Sequence, residues 1–423
     1  ALWIALGMIK GKISERQSYR FQAEQSIRSS WTGEQTLLGP MLVVPYMLEY
    51  EEDVWSEKLQ RNVKVQKIKK EKAYFLPKKT QIDAVMHTSQ RERGIYSVPV
   101  YMTQVQVKGY FNDDAIQSFF ARKEITQDGK AYLALSVSDN RGLLEIPEIH
   151  MNNLSVAAMT GSGLNFSMAG FHANVLKKIT AYSAIRFSVK FGINGMTTLR
   201  FIPTAQNSEV NLRSNWPHPK FLGAFLPVEH HISKKGYEAQ WKTSEFSADY
   251  QSALKNCLSG SCETLFSTWF GVKHIDPIDI YLQAERAVNY GILFIVLTFV
   301  AFALFEVLQK ISLHPIQYAL AGANLAIFFL LLVALSEHLK FYQAYIISAT
   351  ACICILTIYL RAVLKSGRNG LLFSAAITLL YGILYLIITS EDHALIAGSL
   401  LLFSILSIVL ISTRKIDWYQ RTL

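Results

Sequence analysis

The sequence predicts an α+β membrane protein, with an antiparallel β-rich exported domain followed by a C-terminal bundle of five transmembrane helices. Three observations carry this. Five apolar runs crowd the last third of the chain: Ala287 to Leu308, Pro315 to Leu335, Phe341 to Val363, Leu371 to Thr389 and Ala394 to Ser412. At ~1.5 Å of rise per residue each spans roughly 30 Å, the thickness of a bilayer's hydrocarbon core. Upstream, Ile185, Phe187, Val189, Phe191 and Ile193 recur at every second residue, the period of a strand with one buried face. Composition divides at the same place. From residue 287 onward there are 8 Lys/Arg and 5 Asp/Glu, leaving 34 and 27 upstream, a net of +7 on a water-soluble segment. The averages, 51% hydrophobic residues and a mean hydropathy of +0.20, conceal these two unlike parts.

The expected organisation is an N-terminal transmembrane anchor, shortened here to residues 1–11, a mostly β domain over 12–286, the bundle over 287–412 and a tail over 413–423. Ala1 to Ile9 is apolar and stops at Lys10, and nine residues do not cross a bilayer. Lys10 to Gln25 continues as a polar helix with no small-x-small cleavage site, which favours an anchor over a cleaved signal peptide. Alternate breaks between the runs carry seven Lys/Arg on one side (Lys310, Arg361, Lys365, Arg368, Arg414, Lys415, Arg421) against Lys340 alone on the other. By the positive-inside rule the seven face the cytoplasm, which leaves both termini inside and the β domain outside.

Within the β domain, strands are expected at Met41 to Tyr50, Asn62 to Phe75, Tyr96 to Val107, Ala131 to Val137, Ile185 to Ile193, Thr197 to Phe201, Val210 to Arg213, Tyr237 to Trp241 and Phe270 to Ile275. Gly, Pro and Asn between them predict a sandwich or a strongly curved sheet. In Tyr96 to Val107 the apolar phase slips by one residue, which predicts a bulge. Helices are expected at Asp113 to Phe120 and Ser247 to Leu258, and the second span is expected to begin as a helix within Asp279 to Val288. Seven basic residues from Lys58 to Lys72 read as a solvated hairpin face ahead of a lipid or partner patch.

No catalytic signature occurs. The chain lacks Gly-x-Ser-x-Gly, a phosphate-cradling glycine loop, His-Glu-x-x-His and zinc-spaced cysteine pairs, so no catalytic residue, metal or cofactor is expected. His230 and His231 are adjacent and point opposite ways on a strand, against a shared metal. Basic charge without a nucleic-acid motif points to the bilayer, an anionic lipid or an envelope protein as partner, and away from nucleic acid. The candidate binding residues are Trp216, His218 and Phe221, in a segment from Ser214 to Pro227 whose prolines fix an irregular loop. That segment reads equally as a binding edge or as a buried crossover whose Trp fills the core.

Cys257 and Cys262 bracket Leu-Ser-Gly-Ser in the exported part, where a disulfide persists, and their spacing is not the Cys-x-x-Cys of a redox pair. Cys352 and Cys354 point to different faces of their helix as packing or lipid residues. Glu306 and His314 lie about 35 Å from Glu337 and His338 along the intervening helix, so the four cannot form one active site. Asn324, near mid-span, is expected to make an interhelical hydrogen bond. On the outer loops Glu337, His338, Glu391 and Asp392, with His393, are either solvated turns or a docking surface for the basic domain.

Several strings resemble the CreD family of inner-membrane proteins of Gram-negative bacteria. They are Gly39-Pro40, Asn207-Ser208-Glu209, Ser214 to Pro227, Ala301-Phe302 through Phe305-Glu306, Leu313-His314-Pro315, Leu335-Ser336-Glu337-His338, Ala362-Val363-Leu364-Lys365 and Ile416-Asp417-Trp418-Tyr419. The resemblance implies an N-terminal anchor, a large periplasmic domain, a C-terminal helical bundle, production under a two-component regulator and a role in cell-envelope integrity. The expected function is a non-enzymatic envelope protein whose periplasmic domain binds another component. A transporter or channel subunit is the alternative, and a membrane-embedded enzyme a third; nearly uncharged spans without an evident inverted repeat weigh against transport.

Overall fold

The computed structural model describes residues 2–57, 60–176, 184–275, 280–309, 314–363, 367–389 and 394–414. The chain divides into two compact units, residues 23–277 and residues 1–22 with 278–423.

Seventeen strands are described in the first unit. In chain order they are β1 (Gln35–Ser56), β2 (Arg61–Phe75), β3 (Lys79–Arg93), β4 (Tyr96–Asn112), β5 (Ile125–Gln127), β6 (Tyr132–Ser136), β7 (Glu148–Met151), β8 (Leu154–Val156), β9 (Met159–Thr160), β10 (Gly170–Asn174), β11 (Ala184–Met196), β12 (Thr198–Ile202), β13 (Asn207–Ser214), β14 (Pro219–Gly223), β15 (Glu229–Ser233), β16 (Gly236–Ser244) and β17 (Phe270–His274). They form two sheets. One runs β14-β17-β12-β1-β6-β10-β9, with β2 and β5 also paired to β1; the other runs β15-β16-β13-β3-β4-β11-β7-β8. Their inward faces share one core that includes Leu42, Val44, Val105, Phe187, Val210, Trp241 and Phe270. In β11 the alternation is as the sequence predicts: Ile185, Phe187, Val189, Phe191 and Ile193 are buried while Arg186 and Lys190 are exposed.

Three expectations are corrected. The architecture is not purely antiparallel, because β1 pairs with β12 and β3 with β13 in parallel. No bulge occurs in Tyr96 to Val107, where β4 keeps one register against both β3 and β11. The phase slip instead marks a change of buried face: Val98 and Val100 pack with Ile27 and Met196, and from Tyr101 onward the opposite face enters the main core. The register shift falls in β1, between Leu38 and Met41, where Pro40 has no N–H to give the ladder. Third, the Ser214 to Pro227 segment is not irregular throughout. Pro219 opens β14, an edge strand on β17, which is where a sheet tolerates a proline.

A close approach explains Gly195. A Cβ there would lie 2.2 Å from the Tyr101 ring. Its absence lets Tyr101 lie flat across the strand and donate its hydroxyl to the Thr198 carbonyl at 2.7 Å.

Helices α1 (Leu2–Ser30), α2 (Asp113–Phe120), α3 (Tyr250–Leu258) and α4 (Glu263–Ser267) precede α5 (Ile280–Gln309), α6 (Pro315–Ser336), α7 (Phe341–Val363), α8 (Gly367–Thr389) and α9 (Ala394–Thr413). Among the described residues three stretches are long and apolar enough to cross a membrane: Leu282–Leu304, Pro315–Ser336 and Phe341–Ala362. Phe373–Thr389 and Ile396–Ile411 are apolar and shorter. In α1 the buried residues Leu6, Ile9 and Ile13 form a stripe of helical period. Gly291 of α5 leaves room for the Phe329 ring of α6, with Leu6 beside it. Polar contacts extend the seam: Lys10 Nζ donates to Asn289 Oδ1 at 3.3 Å and Gln17 Nε2 to Glu285 Oε2 at 3.4 Å.

Candidate functional site

Where the two sheets meet, a buried polar knot forms around a histidine that the sequence did not single out. His274, 2% exposed, closes β17. Its Nδ1 lies 3.1 Å from Thr88 Oγ1 of β3, and its Nε2 lies 3.0 Å from the Tyr237 hydroxyl of β16. Both ring nitrogens are therefore satisfied across the sheets by neutral groups. Burial pushes the His274 pKa down to about 4, so the ring is neutral at ordinary pH. Asn215 ties the next residue in, its Oδ1 accepting from Thr88 N at 2.8 Å and its Nδ2 donating to Thr88 O at 3.1 Å.

Trp216 stacks on this histidine, with ring centroids 5.9 Å apart and planes at 25°, and its Nε1 donates to the Ile275 carbonyl at 3.0 Å. Phe221 packs edge-on against Tyr237 and Trp241. His218 is exposed, and its carbonyl accepts from Ile275 N. Trp216 and Phe221 thus roof the knot, and His218 stands outside it.

A larger concavity lies elsewhere in the β domain. A cleft of about 1350 Å³ opens between α2 and α3, along the root of the β1–β2 hairpin. Phe75 and Phe119 meet edge-on at 5.7 Å and belong with Tyr46 and Ala73 to one apolar cluster. Tyr74 and Leu76 pack instead with Tyr250 and Leu254 of α3. Tyr46 donates to Glu71 Oε2 at 2.6 Å, and burial together with that carboxylate pushes its pKa up to about 12. Lys72 Nζ donates to Gly163 O at 3.0 Å and Asn165 Oδ1 at 3.2 Å. None of Trp216, His218 and Phe221 lines this cleft. The alternation of β2 was legible, but the meeting of α2, α3 and β2 joins residues more than a hundred positions apart and leaves no local signal.

Cys257 and Cys262 are joined in a disulfide at the end of α3, whose Leu254, Lys255 and Leu258 line the cleft. The basic run is the outer strand of the hairpin, and its lysines meet acids of their own neighbourhood: Lys64 with Glu51 at 3.0 Å, Lys67 with Glu52 at 2.5 Å, Lys69 with Glu71 at 2.6 Å and Lys70 with Asp128 at 2.9 Å. Lys58 lies outside the described residues.

In the helical unit, Glu337 Oε1 pairs with Arg16 Nε at 3.1 Å. His338 caps the end of α6 through its backbone, donating to Leu335 O at 3.1 Å. Glu391, Asp392 and His393 lie outside the described residues. Asn324 Nδ2 donates to Cys352 O at 3.2 Å, the interhelical bond expected of it. Cys352 is buried and Cys354 exposed. His314 is the N-cap of α6, and Glu306 accepts from Tyr318 at 2.7 Å. Among the described residues no three His, Cys, Asp or Glu are grouped to hold a metal ion.

A β-rich domain accompanied by apolar, membrane-length helices defines an α+β membrane protein. A family model described as inner membrane protein CreD matches residues 1–419. Inner membrane protein CreD of Escherichia coli strain K12 is 34% identical over 425 residues, covering 100% of this chain and 92% of that protein. The chain belongs to the CreD family of inner membrane proteins.

Proposed function

We propose that the chain is a non-enzymatic cell-envelope protein whose β domain stands in the periplasm and binds another envelope component. All five C-terminal apolar helices cross the inner membrane and both termini are cytoplasmic. The Lys/Arg asymmetry of the interhelical breaks supports that orientation. The observation that carries the binding role is the 1350 Å³ cleft, larger than the roughly 300–1,000 Å³ that a small ligand occupies, with aromatic, amide and charged groups along it. A role in envelope integrity under stress follows if the bound component belongs to the wall or its machinery.

Two measurements test this in living cells. A periplasm-dependent phosphatase inserted at Lys235, in the exposed turn between β15 and β16, is expected to be active; a cytosolic reporter active at that position would overturn the orientation. A photoreactive amino acid at Gln251, exposed in the cleft, is expected to crosslink one defined envelope component, while the same group at His231, on a strand outside the cleft, does not. Equal capture at both positions would remove the cleft from the reading.

A further inference from the structure

The cleft is lined by the last six residues of one strand, Lys70, Glu71, Lys72, Ala73, Tyr74 and Phe75, and by Leu76 just beyond it. Consecutive residues of a strand point to opposite faces, so a concavity touching all of them must run past the strand's edge. That edge is open. Among the described residues β2 pairs with β1 and with no other strand. Its second row of backbone donors and acceptors therefore faces the cleft, which α2 flanks on one side of the sheet and α3 on the other. Exposed edges are ordinarily blunted because they recruit further strands, and here the edge is set inside a slot.

We propose that this slot takes an extended polypeptide segment, which adds to the first sheet as a strand beside β2. The proposal rests on the reading of the domain as a binding module and names its ligand. Backbone pairing along β2 supplies the recognition common to any sequence, and the two walls supply the choice of side chains. Toward α2 the wall is apolar at Ala73, Phe75 and Phe119 and acidic at Asp114, Glu71 being held by Lys69 and Tyr46. Toward α3 it is apolar at Tyr74, Leu76 and Leu254 and basic at Lys72 and Lys255. The remaining lining charges balance: Lys70 is held by Asp128, and Lys78 and Glu245 add one of each sign. The preferred segment therefore has apolar residues at its centre and, toward one end, a basic side chain on the α2 face next to an acidic one on the α3 face. A carbohydrate has no matching row of amides to offer the edge.

The test uses the full-length protein in detergent and two synthetic heptapeptides, Thr-Lys-Glu-Val-Val-Val-Thr and the same residues in reverse order, which cover both strand directions. One is expected to bind and to slow amide exchange within residues 70–76. Each peptide is also made with N-methyl groups at alternate residues, once on each edge. Methylation of the edge facing β2 is expected to weaken binding about tenfold or more, and methylation of the outer edge to leave it unchanged. Gln251→Trp, which fills the slot from an exposed position, is expected to abolish binding with an unaltered melting curve. Failure of both heptapeptides to bind, equal effects of the two methylation patterns, or displacement by soluble glycan fragments alone would each overturn the strand site. A glycan crosslinked at Gln251 in cells would sink the peptide ligand and leave the binding module standing. Peptide binding without any cellular crosslink would do the reverse.

Discussion

Tyr237 and His274 meet across the two sheets of the β domain, the tyrosine hydroxyl 3.0 Å from Nε2 and both residues buried. With Thr88 on Nδ1, the imidazole is a rivet between β16, β3 and β17, and its burial makes charging the ring costly. In the unfolded chain the same ring titrates near 6.5, and burial lowers it to about 4 in the folded domain. Between those values the unfolded chain binds the extra proton, so stability is complete above pH 6.5 and declines as pH falls toward 4, by about 3 kcal/mol in all. Between pH 6.5 and about 5 most ordinary carboxylates remain ionised, which isolates the histidine. Urea unfolding of the β domain in the full chain, followed by near-ultraviolet circular dichroism, is expected to show that slope. His274→Gln should be less stable near neutrality and flat across the window; a slope that persisted in the variant would assign it elsewhere.

Trp216 protects that ring. Trp216→Ala removes the stacked face and the hydrogen bond to Ile275 O, and admits water to His274. The expected loss is about 2 kcal/mol, with the acid transition moving upward in pH. Trp216→Phe keeps a stacked ring and is expected to lose less than half as much. Thermal unfolding of both variants checks this, and cleft ligands should bind each of them with the affinity of the parent chain.

What the sequence made legible was whatever period and composition report. The apolar runs, the alternation of β11, the helix at Asp113 to Phe120 and the interhelical role of Asn324 are local readings that packing left intact. β3 escaped notice because its inward set, Thr80, Ile82, Ala84, Met86 and Thr88, mixes small and polar residues and resembles no apolar stripe. The parallel pairs and the cleft were illegible for another reason: they depend on which distant strands become neighbours, and no single segment records that. His274 was hidden among apolar residues because its partners, Thr88 and Tyr237, lie 186 and 37 positions away.

The Cys257–Cys262 bond closes a short loop where α3 ends and the chain turns into α4. On the chain-entropy estimate such a closure stabilises by about 2 kcal/mol. Reductant, or Cys257→Ser with Cys262→Ser, is therefore expected to lower the melting temperature of the β domain. Because α3 forms one wall of the cleft, exchange of its amides should accelerate before that of β11. Parallel loss of protection in both would mean that the bond acts on the whole domain.

Arg16 and Glu337 make the seam between α1 and α6 asymmetric. Their side chains stand 3.1 Å apart, but the glutamate is 9% exposed and the arginine 44%. Arg16→Ala leaves a carboxylate almost out of water without its partner, a loss of about 1–3 kcal/mol, whereas Glu337→Gln leaves an arginine that solvent already reaches. The arginine variant is therefore expected to be the more damaging of the two. Melting of the detergent-solubilised protein measures both. In the double variant the penalty should fall below the sum of the single ones, because no charge is then stranded. Strict additivity would mean that the two side chains are neighbours without being coupled, and that the apolar stripe of Leu6, Ile9 and Ile13 and the other polar contacts of the seam hold the helix.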